Sequence, residues 1–153
     1  MSAVLKKQYQ FRLMHKDDLD EIMQIESQIY PYPWTRGNFS DSLASGYSAW
    51  VLELDKQIIG YALMMMVLDE AHLLNLSVAK AFQNQGLGRY MLELIIEIAK
   101  SNQMANMFLE VRLSNIFAIA LYENVGFNEM SIRRGYYPAA NGREDAVLMG
   151  LVL

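Results

Sequence analysis

The chain has 153 residues, 53% of them hydrophobic, the length and apolar content of one domain, 1–153, around a single packed core. Its 13 Lys and Arg stand against 17 Asp and Glu, and a net charge of -4 disfavours holding nucleic acid through its phosphates. With no cysteine and only His15 and His72 as histidines, far apart and without ligand spacing, disulfides, thiolate metal sites, a Cys nucleophile and a His-based metal site are all disfavoured, and no metal is expected.

In chain order, 8–14 reads as a first strand. Asp18 and Glu21 make a capping-box start for a helix on which Leu19, Ile22, Met23, Glu26 and Ile29 share a face. Pro31 and Pro33 stop it, and 35–45 forms a short helix that Gly46 ends. Segments 47–54 and 57–68 read as strands joined by a tight turn at Asp55 and Lys56, without the glycine such a turn usually carries, and 70–79 reads as a third strand beside them. Residues 86–101 form an amphipathic helix with Leu87, Met91, Leu94, Ile95 and Ile98 on one side. A strand at 106–113, a helix at 115–125 closed by Gly126, and strands at 127–136 and 145–153 complete the chain. The class is α+β, with an antiparallel meander in the first half and a crossover through the amphipathic helix in the second. The longest apolar run, 61–68, is too short to span a membrane. The N-terminus, with Lys6, Lys7 and Arg12, lacks the apolar stretch of a secretory signal, so a cytoplasmic protein is expected.

Gln83, Asn84, Gln85, Gly86, Leu87, Gly88 and Arg89 lie between a strand and the amphipathic helix. Glycines there admit an anion to the backbone N–H groups of the helix start. The turn is neither a dinucleotide fingerprint, since Tyr90 and Met91 follow where a third glycine belongs, nor a P-loop, since no Gly-Lys-Ser/Thr follows. Taken alone it also fits an ordinary strand-to-helix connection. Arg89 is either a charged donor to a phosphate oxygen or a solvated helix arginine.

The apolar strand 106–113 carries Glu110 in its middle, and an acid there must be paired or used. Alternation puts Phe108, Glu110 and Arg112 on one face, which allows a same-face ion pair with Arg112 or a general base. Asn115 and Tyr122 stand seven residues apart on the next helix, nearly on one face and about 10 Å apart along its axis, near the reach of a thioester arm. Tyr122 is then a proton donor to a leaving thiolate or a half-buried aromatic, and Asn115 an N-cap, a ligand contact or both. Tyr32, Trp34, Tyr136 and Tyr137 lie in turn-like segments, where they wall a peptide groove or close over the core. Glu70 reads as a second acid or a solvated turn carboxylate. Arg133 and Arg134 read as a surface or structural pair.

Gln83-x-x-Gly86-x-Gly88, following Leu74 to Val78, resembles the acetyl-CoA pyrophosphate motif of the GNAT superfamily of N-acetyltransferases. Leu109-Glu110-Val111-Arg112-Leu113-Ser114-Asn115, Ala120-Leu121-Tyr122-Glu123-Asn124-Val125-Gly126-Phe127, Arg133-Arg134-Gly135-Tyr136-Tyr137-Pro138 and Gly142-Arg143-Glu144-Asp145-Ala146 resemble its RimI branch, the bacterial ribosomal-protein alanine N-acetyltransferases, from Tyr32-Pro33-Trp34 nearly to the C-terminus. The resemblance implies a mostly antiparallel sheet of about seven strands with flanking helices, whose acetyl-CoA-binding strands splay apart. It implies Leu76, Ser77 and Val78 as the strand along acetyl-CoA, Asn84 to Arg89 as the pyrophosphate cradle, and Asn115 as a further cofactor contact. It also implies Glu110 as general base, Tyr122 as general acid, and the N-terminal alanine of small-subunit ribosomal protein number 18 as acceptor. Asn84 and Gln85 replace the arginine that relatives often carry, which weakens the cradle's electrostatic pull.

Overall fold

In a computed structural model that describes residues 8–153, these patterns resolve into seven strands and four α-helices, with two short 3-10 turns at Lys16–Asp18 and Lys80–Phe82. They are β1 (Tyr9–Leu13), α1 (Leu19–Ile29), α2 (Arg36–Ala44), β2 (Ser48–Leu54), β3 (Gln57–Val67), β4 (Glu70–Val78), α3 (Leu87–Ser101), β5 (Asn106–Arg112), α4 (Ile116–Val125), β6 (Asn128–Ala139) and β7 (Gly142–Val152). Lys6 and Lys7 lie outside the described residues. The strands make one sheet in the order β1-β2-β3-β4-β5-β7-β6, the mostly antiparallel α+β arrangement expected. The residues gather into two compact units, one taking in the chain up to Met65 with Asn75–Ile95, the other Met66–Leu74 with Ile96–Leu153.

In the first unit β1, β2 and β3 form an antiparallel meander. Asp55 and Lys56 turn it with φ of +51° and +66°, the left-handed pair that a two-residue hairpin requires, here built without glycine. Leu52, Ile59, Leu87 and Met91 form a buried cluster on which Phe11, Leu76, Val78 and Phe82 pack. The start of α3 and the end of β4 therefore share one apolar base, which sets the direction in which the glycine turn leaves the strand. Gly60 lies at this contact: a Cβ there would stand 2.9 Å from Met91 Cε and 3.0 Å from the Ser77 carbonyl oxygen.

In the second unit β4 pairs in parallel with β5 over Glu70–Leu73, against Asn106 to Leu109. β5 lies antiparallel to β7, and β7 to β6 at the sheet edge. Met107, Leu109, Val111, Phe127, Val147 and Met149 fill the core of this unit.

Two local expectations are corrected. Asp18 does not cap α1: its carboxylate binds Arg12 through both oxygens at 2.9 Å and accepts from His15 N at 2.7 Å, while Glu21 accepts from Ile58 N at 3.2 Å. The last hairpin is also longer than the strands read at 127–136 and 145–153, because β6 runs through Pro138 to Ala139 and β7 begins at Gly142. On an edge strand the missing N–H of proline leaves no ladder position unpaired, so Pro138 does not end the strand. Gly60→Val should lower stability by about 1–3 kcal/mol through overpacking against Met91 and the Ser77 carbonyl, and Gly60→Ala by less, as read from urea midpoints.

Candidate active site

The glycine turn is built on left-handed backbone at two positions. Asn84 and Gly86 adopt φ of +62° and +81°, and the first helical hydrogen bond of α3 runs from Tyr90 N to Gly86 O at 3.0 Å. The amides of Leu87, Gly88 and Arg89 precede that bond and have no intrahelical acceptor, the general feature by which helix starts can bind anions. Gln83 Nε2 donates to Val78 O at 3.0 Å, tying the turn to the strand end. Arg89 donates to Glu93 at 2.8 Å, an exposed i,i+4 pair that contributes little to stability.

Ser77 points away from that turn into a buried polar chain. Its hydroxyl donates to Asn75 Oδ1 at 2.6 Å, and Tyr30 OH therefore donates to Ser77 Oγ at 2.7 Å. Asn75 Nδ2 reaches Glu26 Oε1 at 3.3 Å, Tyr61 OH reaches the same oxygen at 2.7 Å, and Trp34 N donates to Oε2 at 2.9 Å. Glu26 is 2% exposed, and these three partners are neutral donors. A carboxylate suits such a position because both of its oxygens only accept. Burial, with the charge of Glu26 adding, holds the Tyr61 hydroxyl well above the usual phenol range and raises that of Tyr30, against the bond with Ser77, which lowers it. Trp34, a candidate groove residue, is anchored by this bond, and its ring packs 5.0 Å from the buried Phe39.

In the second unit Glu110 finds its ion-pair partner in Arg133, whose Nε lies 3.5 Å from Oε2. That oxygen is buried and accepts no hydrogen bond from the described residues. Arg112, the alternative partner, is engaged instead by Glu144 at 3.0 Å and by the Pro138 carbonyl at 2.7 Å. Its guanidinium lies 4.5 Å from the Tyr137 ring centroid, a cation–π contact that fixes Tyr137. Burial first and the Glu110 charge second push the Tyr137 hydroxyl up to about 12.

The final hairpin places these groups. Between Arg133 and Tyr137 the β6 ladder slips, so that Arg134, Gly135 and Tyr136 stand opposite Asp145 alone. Gly135 takes φ +61° and its N–H donates to Asp145 Oδ1 at 2.9 Å, while Arg143 donates to the Gly135 and Tyr136 carbonyls, both at 2.8 Å. Glu144 holds Arg112 on one oxygen and Ser114 N at 2.9 Å on the other. The Arg143 and Asp145 side chains thus pin a bulge whose flanking residues, Arg133 and Tyr137, lie near Glu110, while Glu144 holds Arg112. Arg143, Glu144 and Asp145 also line a cleft of about 580 Å³ with Leu113, Ser114 and Ala139 to Asn141.

On α4, Asn115 caps the helix by accepting from Ala118 N at 3.2 Å. Tyr122 is buried, with its ring edge-on to Phe127 at 5.6 Å. Glu70, the second candidate acid, is half exposed and bonds His72 at 3.2 Å. Among the described residues no three His, Cys, Asp or Glu gather as a metal site, and no helix is long and apolar enough to cross a membrane.

The sequence matches the acetyltransferase (GNAT) family over residues 19–127. The chain belongs to the GNAT family. This GNAT chain is 42% identical over 139 residues to the [ribosomal protein bS18]-alanine N-acetyltransferase of Salmonella typhimurium, covering 91% of the chain and 94% of the relative. It is also 42% identical over 134 residues to the Escherichia coli protein of that name, covering 88% and 90%. The crystal structure of the Escherichia coli ribosomal-protein-S18-alanine N-acetyltransferase superposes with a TM-score of 0.90 at 39% identity, covering 95% of this GNAT chain and 94% of that one.

Glu26→Ala should destabilise the fold by about 2–4 kcal/mol in urea titration, because Tyr61 OH and the Asn75 amide lose their acceptor, and Glu26→Gln by about half as much, since one amide nitrogen would then face a donor. The raised tyrosines set an alkaline limit. Their stabilisation is complete below the unfolded phenol value near 10 and is lost as pH rises through the folded values, about 12 for Tyr137. The urea midpoint should therefore fall between about pH 10 and 12, and less steeply in Tyr137→Phe.

Proposed function

We propose that this chain transfers the acetyl group of acetyl-CoA to the N-terminal alanine of ribosomal protein bS18, in the cytoplasm, by direct transfer in a ternary complex. The observation that carries the reading is 42% identity over nine-tenths of the chain to acetyltransferases named for that acceptor. The helix end at Gly86 to Arg89 suits the pyrophosphate, and Leu76, Ser77 and Val78 offer their strand backbone to the pantetheine arm. Asn115, exposed at the start of α4, adds a contact to the same molecule.

In this reading Glu110 takes the proton of the acceptor amine as its nitrogen bonds to the thioester carbonyl carbon. Tyr122 gives a proton to the sulfur as the carbon–sulfur bond breaks, so free thiol and acetylated alanine leave together. Both demands are modest: an α-amine titrates near 7.7–8.0, against about 10.4 for lysine, and a thiol near 8.5 is less basic than a phenolate near 10. A covalent acyl-enzyme is not needed, and the chain has no cysteine to form one on sulfur. Tyr137, held under Arg112, and Trp34, on its anchored loop, wall the peptide in this proposal, and the net charge of -4 suits a basic tail.

The decisive assay is mass-spectrometric acetylation of an alanine-initiated bS18 peptide, its N-formylated form and a lysine-rich control. Transfer to the unblocked alanine alone is expected, and equal transfer to the lysine control overturns the acceptor assignment. Glu110→Gln should lower kcat by about 10²–10⁴-fold, and Tyr122→Phe should slow turnover while acetyl-CoA affinity stays within a few fold. Wild-type turnover in either variant removes that residue from the chemistry.

A further inference from the structure

Glu26 holds the loop between α1 and α2 at both ends. Its carbonyl accepts from Tyr30 N at 3.1 Å, closing the last turn of α1, and its carboxylate Oε2 accepts from Trp34 N at 2.9 Å. Pro31 and Pro33, between those two points, have no N–H to give, so the bond at Trp34 does for this loop what a ladder or helix bond does elsewhere. The carboxylate is itself fixed, because Oε1 accepts from Tyr61 OH of β3 at 2.7 Å and from Asn75 Nδ2 of β4 at 3.3 Å. A second tie runs from Tyr30 OH to Ser77 Oγ at 2.7 Å. Along β4 the Asn75 and Ser77 side chains therefore serve the loop, while Leu76 and Val78 pack on the cluster with Leu87 and Met91. One strand thus bears the loop and, in the proposed reaction, lends its backbone to acetyl-CoA.

We propose that Glu26 is a positioning residue for the acceptor: it sets the Trp34 loop against β4, so that a wall of the peptide site and the strand for acetyl-CoA stand in fixed register. This rests on the reading of Trp34 as part of that wall. A loop held in place before the peptide arrives loses less freedom on binding, which lowers the KM for the peptide and does not bear on acetyl-CoA. A carboxylate fills the role where an amide does not, because both of its oxygens must accept: a Gln there turns an N–H toward Trp34 N or toward the Tyr61 and Asn75 donors.

The test is steady-state kinetics with acetyl-CoA and the alanine-initiated peptide for wild type, Glu26→Gln, Tyr30→Phe, Ile22→Val and Trp34→Ala. Glu26→Gln should raise the peptide KM by about 3–10-fold, and Tyr30→Phe by about 2–5-fold, as a loop bond is lost. In both, kcat and the acetyl-CoA KM should stay within about twofold of wild type. Ile22→Val trims a wholly buried side chain about one turn earlier on α1, at a comparable cost in stability, and should leave both KM values where they are. An equal rise of the peptide KM in Ile22→Val would overturn the proposal, since general loosening would then account for it. So would a fall in kcat with both KM values unmoved, the mark of lost active enzyme. Should Glu26→Gln not fold, Tyr30→Phe decides, because it removes one hydroxyl and no packed carbon, and an unmoved peptide KM in it counts against the proposal. A wild-type peptide KM in Trp34→Ala would instead remove the wall reading, and the proposal with it.

Discussion

A carboxylate set among apolar side chains needs donors or a counter-charge, and this chain answers that constraint in two opposite ways. Glu26 receives hydrogen bonds on both oxygens from neutral donors, and these bonds tie α1, the loop carrying Trp34, β3 and β4 together. Glu110 keeps one buried oxygen without a hydrogen bond and has an exposed arginine as its ion-pair partner. A satisfied network holds its elements rigidly, whereas an acceptor left unsatisfied is a group ready to bond something else.

Much of the site's architecture follows from local rules. The cluster of Leu52, Ile59, Leu87 and Met91 fixes where α3 begins, and so where the amides of its first turn point. In the other unit, consecutive residues of the Gly142-Arg143-Glu144-Asp145 run divide the labour: Arg143 and Asp145 hold the bulge, and Glu144 holds Arg112 over Tyr137. The dependence of that run on Arg134 to Tyr136 explains why the two motifs belong together.

Elements with strong periodicity were readable from sequence to within a residue or two, as α3 and β5 show, because burial on one face leaves a direct imprint. The final hairpin was read too short because Pro138 and Gly142 signal a loop wherever edge-strand context is unknown. Glu110 stood out as a charge inside an apolar strand. Glu26 carried the same signal, an acid on the apolar face of its helix, but its role depends on Asn75 and Tyr61, which are distant in sequence. Arg133 reads in sequence only as half of a basic surface pair, since its pairing with Glu110 crosses an intervening strand and residue spacing points to Arg112 instead.

The bulge has a second consequence, for solubility. β6 is the last strand of the sheet, 12 residues long and almost wholly exposed, with Met130, Ile132 and Tyr136 among its side chains. A straight, apolar edge of that length would be a template for another chain to add to. Breaks in the ladder at Met130 and at Arg134 to Tyr136, two adjacent arginines, and Pro138 without an N–H divide it into stretches too short to zip together. The irregularity that shapes the surroundings of Glu110 thus also guards the open edge of the sheet against polymerisation.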